Sequence, residues 1–317
     1  FENMRLAQLE KRKKGLITSG AVGGGVAVIG LILLAIGSMG LAVALIIVGL
    51  IVFIVWYAIV STKVKNELKE QVMNDMLKKI DGTFVYMRKD GSFHKKFRLS
   101  GFVKSFSSVS VEDVFKGKIE GQNFTLGELV ATRKQGEKSS VTVFKGPFGY
   151  IETSNQYQFT SIIPDRLEKT LGGLGRMMQK ANLSRLNQKL IKIDEDPDFE
   201  KSYAVWTKDE QSIRQILTPQ FRNYLKSLAS MAGVHVGFRD NLIFFGLYNS
   251  KDLFKIKMKN AITESTVKRF YDEFSEYYSI LENIVSFSLT GTGVSSAGDA
   301  VPPSPQNKDS VPPPPPQ

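Results

Sequence analysis

The acidic run Asp194, Glu195, Asp196, Asp198 and Glu200, in "DEDPDFE", is the densest set of side chains able to do chemistry in this sequence. Carboxylates gathered this closely suit a hard cation such as Ca²⁺, which takes oxygen ligands. An EF-hand loop also needs Gly after its alternating acids and a closing Glu, and Phe199 and Val205 hold those places. The run therefore reads as a solvated acidic turn leading into a strand. A second pair, Glu112 and Asp113 in "SVEDVF", is the candidate for carboxylate acid/base work. His94 and His235 lie in a basic run and an apolar segment, with no HExxH or other paired spacing between them.

No cofactor is expected. "LGGLGRMMQK" offers Gly172, Gly173 and Gly175 but has Met178 where a dinucleotide fingerprint has its third Gly. It reads as a helix break, with anion binding through Arg176 and Lys180 as the alternative. No GxxxxGK[ST] and no GxSxG occurs. The absence of cysteine removes disulfides, thiolate metal sites and thiol nucleophiles. The catalytic residue set is therefore unknown, and no metal site is read from the sequence.

The elements that would position any site begin in lipid. From Gly15 to Thr62 there is no charged residue and no His. As one helix that run would be about 72 Å long, against ~30 Å of bilayer hydrocarbon, so it must turn back. "IGSMG", Ile36 to Gly40, is the natural break between spans of Leu16–Ile36 and Leu41–Val60. Arg12, Lys13 and Lys14 flank the entry and Lys63 and Lys65 the exit, while the tip between the spans is uncharged. The positive-inside rule then puts both termini in the cytoplasm and the lipid bilayer among the partners. The net charge of +11 is assigned to headgroup contact at this collar, and no nucleic-acid partner is expected because no aromatic-interleaved basic motif accompanies it. A signal peptide is the rival for the first segment, disfavoured by the immediate second span. Gly20 and Gly24 form a GxxxG pair that packs the two spans together or, alternatively, forms a dimer face.

The expected fold class is an α+β cytosolic domain on an N-terminal transmembrane helical hairpin. Residues 1–15 form a basic cytoplasmic N-terminus, 16–60 the hairpin, and 61–82 an amphipathic stalk helix with Val64, Leu68, Val72, Leu77 and Ile80 at helical spacing. Packing on the neighbouring domain is preferred for that stalk over a coiled coil. Residues 83–163 read as a β-rich part with strands in "TFVYM", "KFRLSGFV", "VFKGKIEG", "NFTLGELVAT", "VTVFKGPFGYIE" and "YQFTSII". Residues 164–288 read as an α/β part. Pro164 opens one helix and Met177 to Leu190 another. "FEKSYAVW" is a strand with Phe199, Tyr203 and Val205 on one face. Thr207 and Glu210 form a capping box, Thr218 and Pro219 start the next helix, and that helix ends at Gly233. "VHVGF" and "LIFFGLY" flank "RDN" as a hairpin, and Glu264 to Ile284 is a long helix. Residues 289–317 hold eight of the twelve prolines and form a disordered tail that takes up polyproline II structure.

The stretches "SGFVKSFSSVSVEDVFKGKIEGQNFTLGELVATRKQG", "VFKGPFGYIE" and "DFEKSYAVWTKDEQSIRQILTP" carry a resemblance. The chain resembles a bacterial two-span membrane-protein family catalogued as a domain of unknown function and sometimes labelled galanin. The resemblance implies bacterial inner-membrane work near LemA-type membrane proteins, one of which is a possible partner, and it brings no catalytic residues with it. Where the family pattern has "FEP", this sequence has "LFKIKM", Leu253 to Met258. The sequence points to a binding or scaffold module in a membrane-associated complex. A membrane-bound carboxylate-dependent hydrolase is the alternative.

Overall fold

A computed structural model describes residues 1–37, 39–103, 105–137, 139–164, 187–229, 234–248, 253–255, 260 and 262–290. The expected loop glycines 172, 173 and 175, with Arg176 and Lys180, the end of the helix at Gly233, and the Pro-rich tail all lie outside the described residues.

Two long helices lead the chain, α1 (Glu2–Ala35) and α2 (Met39–Ile80). α1 stops where expected: Gly37 takes φ +88 and its N–H reaches the Leu34 carbonyl at 3.1 Å, a left-handed position that suits glycine. The two helices run antiparallel, and the seam between them is lined by glycines one heptad apart. A Cβ on Gly23 would lie 2.7 Å from the Gly49 carbonyl oxygen, one on Gly49 2.6 Å from that of Gly23, and one on Gly30 2.9 Å from that of Ala42. Gly20 and Gly24, the expected pair, are not in this seam, because a Cβ on either meets nothing within 4 Å. The GxxxG spacing marks close approach but not which helix face makes it. Since backbone atoms form the obstruction, no rotamer change relieves it. Gly49→Leu is therefore expected to cost about 1–3 kcal/mol and Gly20→Leu almost nothing, read as thermal midpoints of the protein in detergent.

α2 continues unbroken past the apolar segment as the expected stalk. Leu68, Val72, Met73 and Leu77 are fully buried, together with Phe84, Phe115, Phe274 and Leu281. The stalk is thus part of the domain core. The basic N-terminus, residues 1–15, begins α1 and lies along the stalk: Gln8 donates to Gln71 at 3.4 Å, and Glu2 accepts from the Ile262 amide at 3.0 Å.

The domain is an antiparallel sheet with helices on both faces. Its strands are β1 (Val85–Met87), β2 (Ser108–Ile119), β3 (Gln122–Lys134), β4 (Ser140–Pro164), β5 (Lys189–Ile191), β6 (Tyr203–Thr207) and β7 (Val234–Leu247). The order is β1-β2-β3-β4-β6-β5, with β7 also paired to β4. β4 joins "VTVFKGPFGYIE" and "YQFTSII" into one strand, whose first part pairs β3 and whose last residues pair β6. Alternation sorts the side chains: Leu242 and Phe244 enter one core cluster, Ile243 and Phe245 the other. One cluster lies under the stalk and the C-terminal helices. The other lies under α3 (Phe93–Ser100).

Several local readings are corrected by these contacts. "KFRLS" is helix α3, because Phe93, Phe97 and Ser100 share one buried face at helical spacing, and Gly101 ends it at φ +69. "VHVGFRDNLIFFGL" is the single strand β7, with Asp240 at φ +54 where its register with β4 slips. Burial on both faces of that strand produces the continuous apolar run that alternation alone cannot assign. Phe199 belongs to the short helix α4 (Pro197–Glu200), and Pro164 is the last residue of β4, the helix expected from it lying outside the described residues. Lys189 and Leu190 are in β5, not in a helix. The next helix, α5 (Glu210–Ile216), is capped by Asp209, whose carboxylate accepts from the Ser212 amide at 3.2 Å; Thr207 is the last residue of β6. α6 (Pro219–Leu228) starts on Thr218 as expected, and α7 (Glu264–Thr290) runs one and a half turns past the expected end.

Candidate functional site

Charged side chains gather at the collar at the base of the hairpin, at the contact that roots the stalk in the sheet, and at the acidic turn. At the collar a Cβ on Gly15 would strike the Val60 side chain, so Arg12 to Lys14 and Lys63 to Lys65 stand at one height on the paired helices. Arg12 donates to the Tyr57 hydroxyl at 2.7 Å and its guanidinium lies 5.5 Å from the centre of that ring. Tyr57 in turn stacks on Phe53. Lys11 pairs with Glu67 at 3.4 Å and Lys14 with Glu10 at 3.1 Å. Lys13, Lys63 and Lys65 are exposed and have no ion pair among the described residues. Guanidinium stacked on a tyrosine whose hydroxyl it also holds is a fixed cation, suited to an anionic headgroup.

Above the collar, Lys69 of the stalk donates to Asp113 at 2.6 Å and the Tyr86 hydroxyl donates to the other carboxylate oxygen at 2.5 Å. Asp113 is 2% exposed and sits at φ +54 in the bulge where the β2–β3 register shifts, a conformation that Asp tolerates better than most residues. Burial pushes its carboxyl above the ordinary carboxylate range, although Lys69 and Tyr86 both pull it down. Burial, then the Asp113 charge, pushes the Tyr86 phenol up. Glu112 is exposed, so the "ED" pair does not act as a pair. Lys69 was legible in one respect: it lies on the stripe of Met73 and Met76, a charge on a face otherwise buried.

The acids of 194–200 do not join Asp113. Asp196 is the cap of α4, accepting from the Phe199 amide at 3.1 Å, and it holds Arg222 at 3.2 Å and Lys226 at 2.9 Å. Burial alone would raise its pKa, but Lys226, the Phe199 amide and Arg222 outweigh burial and hold it below the usual range. Glu195 pairs with Arg214, Asp198 with Lys201, and Glu200 accepts from the Ile193 amide. The turn is a clasp between α4 and α6 more than a solvated loop. Asp196→Ala is expected to cost about 1–2 kcal/mol. Because the folded pKa is depressed, that contribution is present above about pH 4 and lost as pH falls through the folded value. Equal acid midpoints for variant and parent would refute it.

His94 is exposed, edge-on to Phe106, whereas His235 is buried and stacked on Phe102 at 3.7 Å. The two are not brought together. A small polar cleft of about 260 Å³ lies between Tyr157, Phe159, Lys208, Arg239 and Asp240, at the slip between β4 and β7. Arg239 stacks over Phe159 and donates to the Leu99 carbonyl there. Among the described residues, no three of His, Asp and Glu gather as a metal site would require.

Comparison with known proteins finds a similarity over part of the chain. Residues 142–285 match the family model described as "Protein of unknown function (DUF3137)". A search of curated proteins finds no match. Among solved structures, the crystal structure of the mycobacterial trehalose monomycolate transport factor A, TtfA, overlaps 64% of this chain and 93% of its own at a TM-score of 0.35 and 10% identity. At that score the likeness carries no argument about this chain.

Proposed function

We propose that the hairpin crosses the bacterial inner membrane with both termini in the cytoplasm, and that the α+β domain is a noncatalytic binding module held rigidly at the membrane surface. The observation that carries this reading is the continuity of α2, whose first half is apolar and exposed and whose second half is core. Within the most apolar windows of α1 and α2 only 17% and 6% of residues are buried, unlike the core helix of a soluble domain. Each apolar arm is roughly 20 residues, the length of one crossing, and each ends in the lysine collar. A domain whose core includes its own membrane helix cannot swivel freely, which suits a module that presents one face to a neighbour. The scattered, structurally engaged carboxylates favour binding over hydrolysis. On the family resemblance alone, a LemA-type membrane protein is the partner to seek.

The sequence contains no cysteine, so single-cysteine labelling tests the placement directly. With an impermeant maleimide on spheroplasts, Met39→Cys at the hairpin tip is expected to label from outside, and Lys118→Cys in the domain only after permeabilisation. Labelling of Lys118→Cys in intact spheroplasts would overturn the proposed topology. Crosslinking from Tyr271→Cys to a co-expressed LemA-type protein then tests the partner.

A further inference from the structure

The fold brings a second basic surface down to the level of the collar. At the far end of the stalk the Asp81 amide closes on the Leu77 carbonyl, and the chain then returns alongside α2: the Tyr86 amide donates to Asn74, and the Tyr86 hydroxyl meets Lys69 at Asp113. β1 therefore runs toward the hairpin. β2 is antiparallel to it, Met87 opposite Val114 and Val85 opposite Lys116, so β2 starts at the hairpin end with Ser108. Ser108 pairs with Thr132, and Lys134 with Ser140, which puts the β3–β4 turn at the same end. From Asp113 to Ser108 the strand covers about 16 Å, and from Lys69 to Lys63 the helix covers about 9 Å. The end of the sheet thus has the reach to meet the collar plane.

α3 lies across the sheet behind this end: His94 and Arg98 pack on Phe106, next to Ser107, whose amide bonds the Thr132 carbonyl at this end, whereas Lys96 reaches away to Glu152 at 2.8 Å, in the row of Asn123 and Lys118. Arg88, Lys89, Lys95, Arg98 and Lys134 are exposed and have no ion pair among the described residues. Arg98 is fixed 4.7 Å over the half-buried Phe106 ring, against whose face His94 also packs. Glu112 and Glu137 are exposed acids in the same region, while Asp90 is taken by Lys116 at 2.6 Å. At the far end of the stalk, Lys78 and Lys79 are instead mixed with Asp81, Glu120 and Glu282.

The geometry points to a second membrane contact: the α3 face docks on anionic phospholipid headgroups, so that the domain lies down on the bilayer beside its own hairpin. This rests on the proposed membrane placement of α1 and α2. Charge complementarity and continuity with the collar select lipid as the occupant, and each Lys or Arg near an anionic surface strengthens attachment about fivefold. A cationic guanidinium over an aromatic ring at the rim suits the headgroup layer, where one end of the pair is apolar and the other wet.

The full chain is reconstituted in nanodiscs of phosphatidylcholine with or without phosphatidylglycerol, both containing a headgroup-attached quencher, with a dye on Ser105→Cys or Lys118→Cys. The expected result is quenching at Ser105 several-fold above that at Lys118 in phosphatidylglycerol discs, falling to the Lys118 level in phosphatidylcholine alone, in high salt, and in K95E/R98E. K89E/K134E, on the flanks, is expected to lose part of it, and circular dichroism verifies that both variants fold. Equal quenching at the two positions in anionic discs, or undiminished quenching in K95E/R98E, overturns the proposal. So does an oligonucleotide bound at this face while the Ser105 dye stays unquenched by lipid. A dye on Val48→Cys with acyl-chain quenchers separates the two levels. If Val48 is shielded from lipid, the membrane placement itself fails; if Val48 is quenched and Ser105 is not, only the docking fails.

Discussion

Lys69→Met is expected to destabilise the protein by about 3–5 kcal/mol at pH 8, because it strands a buried carboxylate. Asp113 is 3% exposed at its side chain, and the substitution leaves it only the Tyr86 hydroxyl as a partner. Asp113→Asn is expected to cost less: Lys69, at 14% side-chain exposure, can reach water, and Asn accepts both the left-handed backbone and the Tyr86 hydrogen bond. The double variant, which leaves no uncompensated charge, should recover most of the loss. The pH dependence follows from burial. Asp113 already has a raised folded pKa, and without Lys69 it rises further. A carboxyl with a raised folded pKa favours folding below its unfolded value near pH 4 and loses that contribution as pH climbs through the folded value. The deficit of Lys69→Met should therefore be small at pH 4 and full at pH 8, by thermal midpoints in detergent. If the single and double variants melt together at pH 8, the pair contributes no coupling.

That pair also shows what was and was not legible beforehand. The uncharged run from Gly15 to Thr62 dictates a hairpin whatever else the chain does, and the stripe of Val64, Leu68, Val72 and Leu77 dictates a buried stalk. Both are local patterns with one solution. GxxxG names a spacing that several glycines share, and only the partner helix selects Gly23 and Gly30 over Gly20 and Gly24. Asp113 and Lys69 are 44 residues apart, and nothing local tells that a bulge turns one toward the other. Phe93 and Phe97 fit a strand of aromatics nearly as well as a helix face, and Phe148 and Phe144 beneath them decide for the helix α3. The acidic turn reads as solvated from the sequence because Arg222 and Lys226, which make it a clasp, sit on a later helix.

The fold also explains why the stalk matters to any binding role. The stalk contacts the sheet through Lys69 at the collar side and through Leu77 and Phe84 at the far side. Two separated attachment points fix an angle, whereas one would leave a pivot. For the binding module proposed above, this fixes the orientation in which a partner would be met, and loosening Asp113 should affect partner capture before it affects insertion of the hairpin.

His235→Phe is expected to flatten the acid limb of the stability profile. His235 is buried, lies 3.7 Å from Phe102 in a near-parallel stack, and its Nε2 has no hydrogen-bond partner among the described residues. Burial pushes its pKa down to about 3, against about 6.5 in the unfolded chain. Between those values the unfolded state binds the extra proton, so stability is complete above about pH 6.5 and is lost as pH falls toward 3. At pH 4.5 the wild-type protein should have lost about 2–3 kcal/mol through this residue alone. Phe keeps the stack on Phe102 and removes both the titration and the orphaned nitrogen, whose burial itself costs about 1–3 kcal/mol. The variant should be no less stable than wild type at pH 7.5 and clearly more stable at pH 4.5. Denaturant midpoints at the two pH values decide it. Parallel acid limbs for the two proteins would mean that the imidazole is not held neutral in the folded state, and that carboxylates held below their usual range, such as Asp196, Asp90 and Asp209, carry the acid sensitivity.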